Sequence, residues 1–144
     1  MKVKQAMTRD VRLASPEETI QQVAQVMKGL DIGVLPVGHD DRLVGMITDR
    51  DIAIRGVAEG KAPDAKVRDV MTTEVKYCFD DQDVAEVTQN MGDIQVRRLP
   101  VVDRKKRLVG ILSLGDIAVL GGDGKAGKAL NRISQPSELH SQAS

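Results

Sequence analysis

Tryptophan is missing from this 144-residue chain, and Tyr77 and Phe79 are its only aromatic residues. Platforms that stack single-stranded nucleic-acid bases need several aromatics, so that class of binding is disfavoured. Net charge is lacking as well, with 21 basic side chains against 21 acidic ones. No overall field draws the chain towards a polyanion. Cys78 is the single cysteine, which excludes an internal disulfide and any Cys-x-x-Cys metal or redox motif. The simplest expectation is a reducing, cytoplasmic setting. His39 and His140 are the two histidines and form no ligand-spaced cluster, so no metal is expected. Apolar runs stay well short of the roughly 20 residues of a membrane span, and Met1-Lys2-Val3-Lys4-Gln5 leads into no signal-like stretch. Also wanting is any nucleophile–base–orienter set, which predicts a protein that is not an enzyme.

What the chain does have is a repeat. Val3 to Val37 aligns with Val67 to Val101 at an offset of 64. Met7-Thr8 matches Met71-Thr72, Val11 matches Val75, and Leu35-Pro36-Val37 matches Leu99-Pro100-Val101. One added residue then shifts the offset to 65, pairing Arg42-Leu43-Val44-Gly45 with Arg107-Leu108-Val109-Gly110 and Asp51-Ile52-Ala53 with Asp116-Ile117-Ala118. Two copies of one supersecondary unit are expected to bury their apolar faces on each other. The copies are assigned to 1–60 and 61–121, with a partly disordered tail at 122–144. Within that tail, Ala126 to Ile133 has the composition for one helix. At this length about 70% of the unfolded surface is buried, enough for a core without staples.

Periodicity predicts the order strand, helix, strand, strand, helix in each copy. In the first, a leading strand near Val11 precedes a helix opened by Thr19, with Ile20, Val23, Ala24, Met27 and Leu30 on one face. Strands follow at Ile32 to Val37 and Leu43 to Ile47, separated by a turn at Gly38-His39-Asp40-Asp41, and a helix runs from Thr48 to about Val57. The second copy predicts a leading strand near Val75 and a helix over Asp83 to Asp93. Strands at Arg97 to Val102 and Leu108 to Leu112 flank a turn at Arg104 to Arg107, and a helix covers Gly115 to Leu120. Met7, Met27, Met46, Met71 and Met91 largely recur in register and are assigned to core packing.

The motif with chemical content is Gly45-Met46-Ile47-Thr48-Asp49-Arg50-Asp51 and its copy Gly110-Ile111-Leu112-Ser113-Leu114-Gly115-Asp116. A hydroxyl and a carboxylate stand three residues apart where a strand turns into a helix, and so share a face. The helix start offers free N–H groups and the positive dipole end, which suit phosphate. A carboxylate beside it can accept both hydroxyls of a ribose cis-diol. The same pattern equally describes a helix cap, and both readings stand.

These residues resemble the cystathionine-β-synthase (CBS) domain pair over about Val3 to Leu120, on Met-Thr starts, Leu-Pro-Val strands and G-x-x-[ST]-x-x-D ends, each present twice. The chain is most similar to small stand-alone bacterial CBS-pair proteins, including the hypoxic-response type. The resemblance implies an α/β fold with two repeats in pseudo-twofold symmetry, a homodimer, and two clefts between repeats. Those clefts take adenosyl ligands such as AMP, ADP, ATP, NAD or S-adenosylmethionine as regulatory ligands rather than required cofactors. Ligand binding would be passed to a protein target, not yet identified, as a conformational change. By the same resemblance, one site comprises Thr48, Arg50, Asp51, Thr72, Val75, Lys76, Tyr77, Arg97 and Arg98 with Ile32 and Pro36. The other comprises Ser113, Asp116, Thr8, Val11 and Arg12 with Val96, Pro100 and Leu112. Asp51 and Asp116 would hold ribose, and Thr48 and Ser113 would meet phosphate. Arg97-Arg98 replaces Gly33-Val34, and Leu114-Gly115 replaces Asp49-Arg50, so the two sites are expected to be unequal. Two rival functions remain: a ligand-independent dimerisation module, and a nucleic-acid-associated regulator using the cationic Arg104 to Arg107 turn.

Overall fold

Thr19 is extended after a turn at Pro16-Glu17, and its hydroxyl accepts the Gln22 N–H at 3.1 Å while the Gln22 side chain accepts the Thr19 N–H at 2.9 Å. This reciprocal cap opens helix α2, Ile20–Leu30. A computed structural model describes residues 1–94 and 96–121; the expected helix at 126–133, His140 and the rest of the tail lie outside them. The remaining elements are α1 (Val3–Ala6), β1 (Val34–His39), β2 (Arg42–Thr48), α3 (Asp49–Asp51), β3 (Cys78–Phe79), α4 (Val84–Asp93), β4 (Arg98–Val102), β5 (Leu108–Ser113) and α5 (Leu114–Gly121). A π-helical stretch, Ile52–Val57, continues α3, and a 3₁₀ turn covers Val67–Asp69. The fold is α/β with two repeats, as expected.

Packing divides the chain differently from the repeat. One unit is Arg12–Lys76 with Lys106–Leu108; the other is Met1–Val11, Tyr77–Lys105 and the described residues from Val109 on. In the first unit β1 and β2 form an antiparallel pair, with Val34 opposite Thr48 and Val37 opposite Gly45. Ala14 adds a parallel bridge to Val37, and Thr72 an antiparallel bridge to Met46. The core gathers Val23 and Met27 from α2, Leu35, Val37 and Ile47 from the strands, Val67 from the 3₁₀ turn and Val70 just after it.

In the second unit the strand order is β3-β4-β5, with Cys78 and Phe79 parallel to Val101 and Val102. Thr8 bridges Ile111 and Lys2 bridges Asp83. Val3 and Ala6 of α1 enter the core with Val87 and Met91 of α4, Leu99, Val101 and Leu112 of the strands, and Ile117 of α5. Each bridge here is the repeat image of one in the first unit, Thr8–Ile111 matching Thr72–Met46. An arm carrying Met-Thr therefore lies across the second hairpin strand in both units.

Several expectations need correction. No strand forms at Val11 or Val75; the segments make single bridges at Thr8, Ala14 and Thr72, and a two-residue strand only at Cys78–Phe79. At the first of them the Val11 N–H turns back to the Arg9 carbonyl at 3.0 Å, which takes it out of any ladder. β1 starts at Val34 rather than Ile32 and runs through Gly38 and His39 with a bulge after Val37, so the turn shrinks to Asp40-Asp41. Their φ of 51° and 64° suits a tight hairpin, and Asp tolerates that region. Leu30 is 55% exposed, not on the buried face. The helix ends there, and Asp31, in the left-handed region at φ 55°, turns the chain away. Of the repeated methionines, Met7, Met27 and Met91 are buried, whereas Met46 and Met71 are half-buried.

Glycine makes the arm crossing possible. A Cβ at Gly45 would lie 2.8 Å from the Thr72 carbonyl oxygen and 2.9 Å from Met71 Sδ. At Gly110 the corresponding distances are 2.7 Å to the Thr8 carbonyl oxygen and 2.8 Å to Met7 Sδ. The carbonyl is fixed by its bridge, so it cannot yield cheaply. Gly45→Ala and Gly110→Ala are each expected to destabilise by about 1–3 kcal/mol through overpacking, whereas Gly29→Ala, at a helical site with open space, should stabilise slightly. Urea unfolding of the three variants measures this.

Candidate functional site

The two strand–helix junctions follow directly from β2 and β5. Thr48 closes β2 in extended conformation and caps α3: its hydroxyl accepts the Asp51 N–H at 3.0 Å. Asp51 Oδ2 accepts the Thr48 N–H at 3.0 Å in return. Arg55, one turn on, places Nε 3.9 Å from Asp51 Oδ1 and donates from Nη1 to the Met71 carbonyl at 3.1 Å. The Asp51 side chain is 13% exposed, which puts a carboxylate at the surface of the unit but within a polar frame.

In the second unit Ser113 Oγ accepts the Asp116 N–H at 3.1 Å. Thr8 Oγ donates to Asp116 Oδ2 at 3.2 Å, a bond between residues 108 positions apart. A carboxylate offers about four acceptor positions. Among the described residues Asp116 uses one, on Thr8, and Asp51 one, on Thr48. Both acids thus keep capacity for an incoming donor.

The other expected site residues divide between the units. With Thr48 and Asp51, the first unit holds exposed Arg50 and Lys76, half-buried Thr72, Val75 and Ile32, and buried Pro36. Tyr77, Arg97 and Arg98, expected for the same site, belong to the second unit. With Ser113 and Asp116, that unit holds Thr8, half-buried Val11 and Val96, buried Pro100, and Leu112. Leu112 is fully buried in the core and supports the junction from behind rather than offering it a surface. Arg12 belongs to the first unit, where Glu18 takes its guanidinium at 3.2 Å and the Leu13 carbonyl accepts from Nη1.

Sequence reasoning missed a contact that explains the divergence of the copies. The Asp49 N–H donates to the Gly33 carbonyl at 2.9 Å, and a Cβ at Gly33 would meet Asp49 Oδ2 at 2.8 Å. The same backbone bond recurs from Leu114 to the Arg97 carbonyl at 3.0 Å. There the acid is replaced by buried Leu114 and the glycine by exposed Arg97. Gly33 with Asp49, and Arg97 with Leu114, are matched pairs. The signal was their substitution together.

Arg104, the first of the four-cation turn, makes two bonds to Asp81 at 2.7 Å each and stacks 4.1 Å over the Phe79 ring. Those bonds hold the Asp81 carboxyl below the usual carboxylate range. Tyr77 packs edge-on to Phe79 with ring centroids 5.7 Å apart. Among the described residues no group of three or more His, Cys, Asp or Glu side chains is placed to hold a metal ion, and no helix is long and apolar enough to cross a membrane.

Two copies of one bridge, one cap and one acid define a tandem-repeat module, and comparison with known proteins gives it a family. The CBS domain family model matches residues 3–56 and 67–121, and the chain belongs to that family. It is 43% identical over 133 residues to the CBS domain-containing protein YhcV of Bacillus subtilis, covering 92% of this chain and 94% of that one. A crystal structure of Hypoxic Response Protein I with two coordinated zinc ions superposes with a TM-score of 0.74 at 38% identity, over 83% of this chain and 98% of that one. The CBS pair of protein MJ0100, in complex with 5′-methylthioadenosine and S-adenosylmethionine, gives a TM-score of 0.71 at 29% identity, over 85% and 96% of the two chains.

Cys78 lies in the second core beside none of this polar chemistry. Burial, reinforced by the Asp80 charge, pushes its thiol up to about 12. At neutral pH it is therefore a protonated, inert side chain. Iodoacetamide is expected to label it slowly in the folded protein at pH 8 and rapidly in urea. Because the folded value lies above the ordinary value of 9.0, its contribution to stability is complete below pH 9 and lost as pH rises towards 12. Cys78→Ala should flatten that part of a stability-against-pH profile.

Proposed function

We propose that the chain is a regulatory, non-catalytic module that binds an adenosyl ligand, an adenine nucleotide or NAD among them, through the ribose. The observation that carries this reading is the recurrence of Asp51 and Asp116. Each follows a capping hydroxyl by three residues, and each keeps acceptor capacity unused by the protein. A carboxylate that accepts both hydroxyls of a ribose diol makes two charge-assisted hydrogen bonds. Support also comes from the adenosyl ligands bound by the CBS pair of MJ0100.

In this reading Thr48 and Ser113 position the acids, and half-buried Ile32 in one unit and Val96 in the other supply apolar surface for the base. The module works as a homodimer in the cytoplasm and passes ligand occupancy to a protein target. Ligand shifts the protein between two states only as far as it binds them with different affinity.

A second reading has an observation of its own. The Thr48–Asp51 pair satisfies itself as a helix cap, and Leu30, Ile54 and Val57 are exposed apolar side chains in the same unit. A ligand-independent interaction module would have both features. The nucleic-acid reading is weakened by Arg104, whose guanidinium is taken by Asp81 and Phe79.

Thermal shift with AMP, ADP, ATP, NAD and S-adenosylmethionine separates the two main readings. A ligand at about 100 times its Kd stabilises by about 2.7 kcal/mol, a rise of several degrees in Tm. No shift from any of them at millimolar concentration would favour the interaction module. Asp51→Ala and Asp116→Ala should each weaken one class of site by roughly tenfold or more, the loss of hydrogen bonds to a charged group. Calorimetric titration reads both sites. Equal losses in the two variants would refute inequality of the sites.

A further inference from the structure

The two acids are tied to the arms that cross their strands, but by different routes. In the first unit Arg55 stands between Asp51 and the arm: Nε at 3.9 Å from the acid, Nη1 bonded to the Met71 carbonyl. Repeat alignment at the offset of 65 puts Leu120 where copy one has Arg55. Leucine has no donor to bridge with. In the second unit the arm reaches the acid itself, through the Thr8 hydroxyl on Asp116 Oδ2.

Thr8 is well placed for this. Its backbone makes both bonds of the bridge to Ile111, at 2.8 and 3.0 Å. Behind it Val3, Ala6 and Met7 are anchored in the core. Ahead of it Arg9 and Asp10 are exposed. Thr8 is thus the residue that bonds the arm to the strand, and its side chain sits on the acid that the proposed function assigns to ribose. In the first unit Thr72 makes the equivalent backbone bonds to Met46, at 2.8 and 2.9 Å. There the bond to Asp51 Oδ2 comes from the Thr48 N–H, which belongs to the junction and not to the arm.

Resting on that reading, we infer that Thr8 is an affinity-setting residue that competes with ligand: its hydroxyl occupies Asp116 Oδ2, and a ribose diol that spans both carboxylate oxygens displaces it from there. Each acid carries one internal hydrogen bond on Oδ2, but the donor is the arm's side chain at Asp116 and the cap's own backbone at Asp51. Only in the second unit, therefore, does a ligand that takes this oxygen displace the arm. Such a ligand removes the side-chain tie between the N-terminal arm and the junction. Ligand occupancy at Asp116 is thereby reported at the arm. Among the described residues Asp51 has no such direct tie.

The test is calorimetric titration with AMP in an Asp51→Ala background, which leaves the Asp116 site to be read. Thr8→Val removes the hydroxyl and keeps the branched shape beside the bridge. It should tighten AMP binding by about three- to tenfold, the worth of one net hydrogen bond. Thr8→Ser, which keeps the donor, should restore the parental affinity, and circular dichroism melts establish that all variants fold. Amide exchange gives a second readout: the Thr8 and Ile111 amides should exchange faster when AMP is bound. Binding that appears only in Thr8→Val would also support the inference. Binding that is abolished by Asp116→Ala, yet unchanged or weakened by Thr8→Val, overturns the inference and leaves the ribose reading intact. Binding indifferent to Asp116→Ala, or absent from every variant, overturns both.

Discussion

A backbone carbonyl lying against a glycine Cα organises each unit. Thr72 crosses β2 at Gly45 and Thr8 crosses β5 at Gly110, at separations that leave no room for a side chain. That approach lets the arm make both bridge bonds to the following residue, Met46 or Ile111. Two positions further along the strand stands the capping hydroxyl, Thr48 or Ser113, and three beyond that the acid. Strand alternation sends the residue between, Ile47 or Leu112, into the core with no exposure. The glycine therefore fixes the arm, the arm fixes the strand, and the strand aims the junction. Chemistry at Asp51 or Asp116 depends on a contact five or six residues upstream.

Much of this was legible because it repeats. The cap at Thr19, the helix pattern of α2 and the junction motif are local signals, written in spacing and in side chains that act on their own neighbours. The arms were not legible in the same way. A leading strand is expected near Val11 or Val75, but a strand exists only where a partner lies alongside, and these segments find one at single positions or, at Cys78–Phe79, over two residues. The exposure of Leu30 was hidden for a related reason: periodicity says which side of a helix is apolar, not how far the core extends along it. Arg12 shows the limit most plainly. The resemblance implies a ligand contact there, and the structure adds an ion pair to Glu18, six residues away within the first unit. Nothing in a spacing rule ranks those partners.

Duplication explains why there are two junctions, and divergence explains why they are unlike. Where the copies differ, the changes come in sets that touch. Gly33 admits the Asp49 carboxylate, while Arg97 stands beside Leu114, which turns inward and is buried. The backbone bond between each pair is unchanged. The skeleton has been kept and its charge altered: an extra acid at the first junction, and an arginine just before β4 in the second unit. Such compensated exchange conserves fold stability while freeing the site to take a different partner.

The same logic governs the tie between acid and arm. A long, flexible Arg55 spans the gap in the first unit at 3.9 Å from the acid, a distance that is electrostatic contact rather than a hydrogen bond. In the second unit the direct Thr8–Asp116 bond at 3.2 Å is short-ranged and directional. An ion pair at partly exposed positions weakens gradually as groups separate, whereas a hydrogen bond is made or lost within a fraction of an ångström. The first junction is thus built to tolerate small displacements, and the second to register them. If the module senses occupancy, the second copy is where a bound ligand and the protein contend for the same oxygen, and where binding has a mechanical consequence.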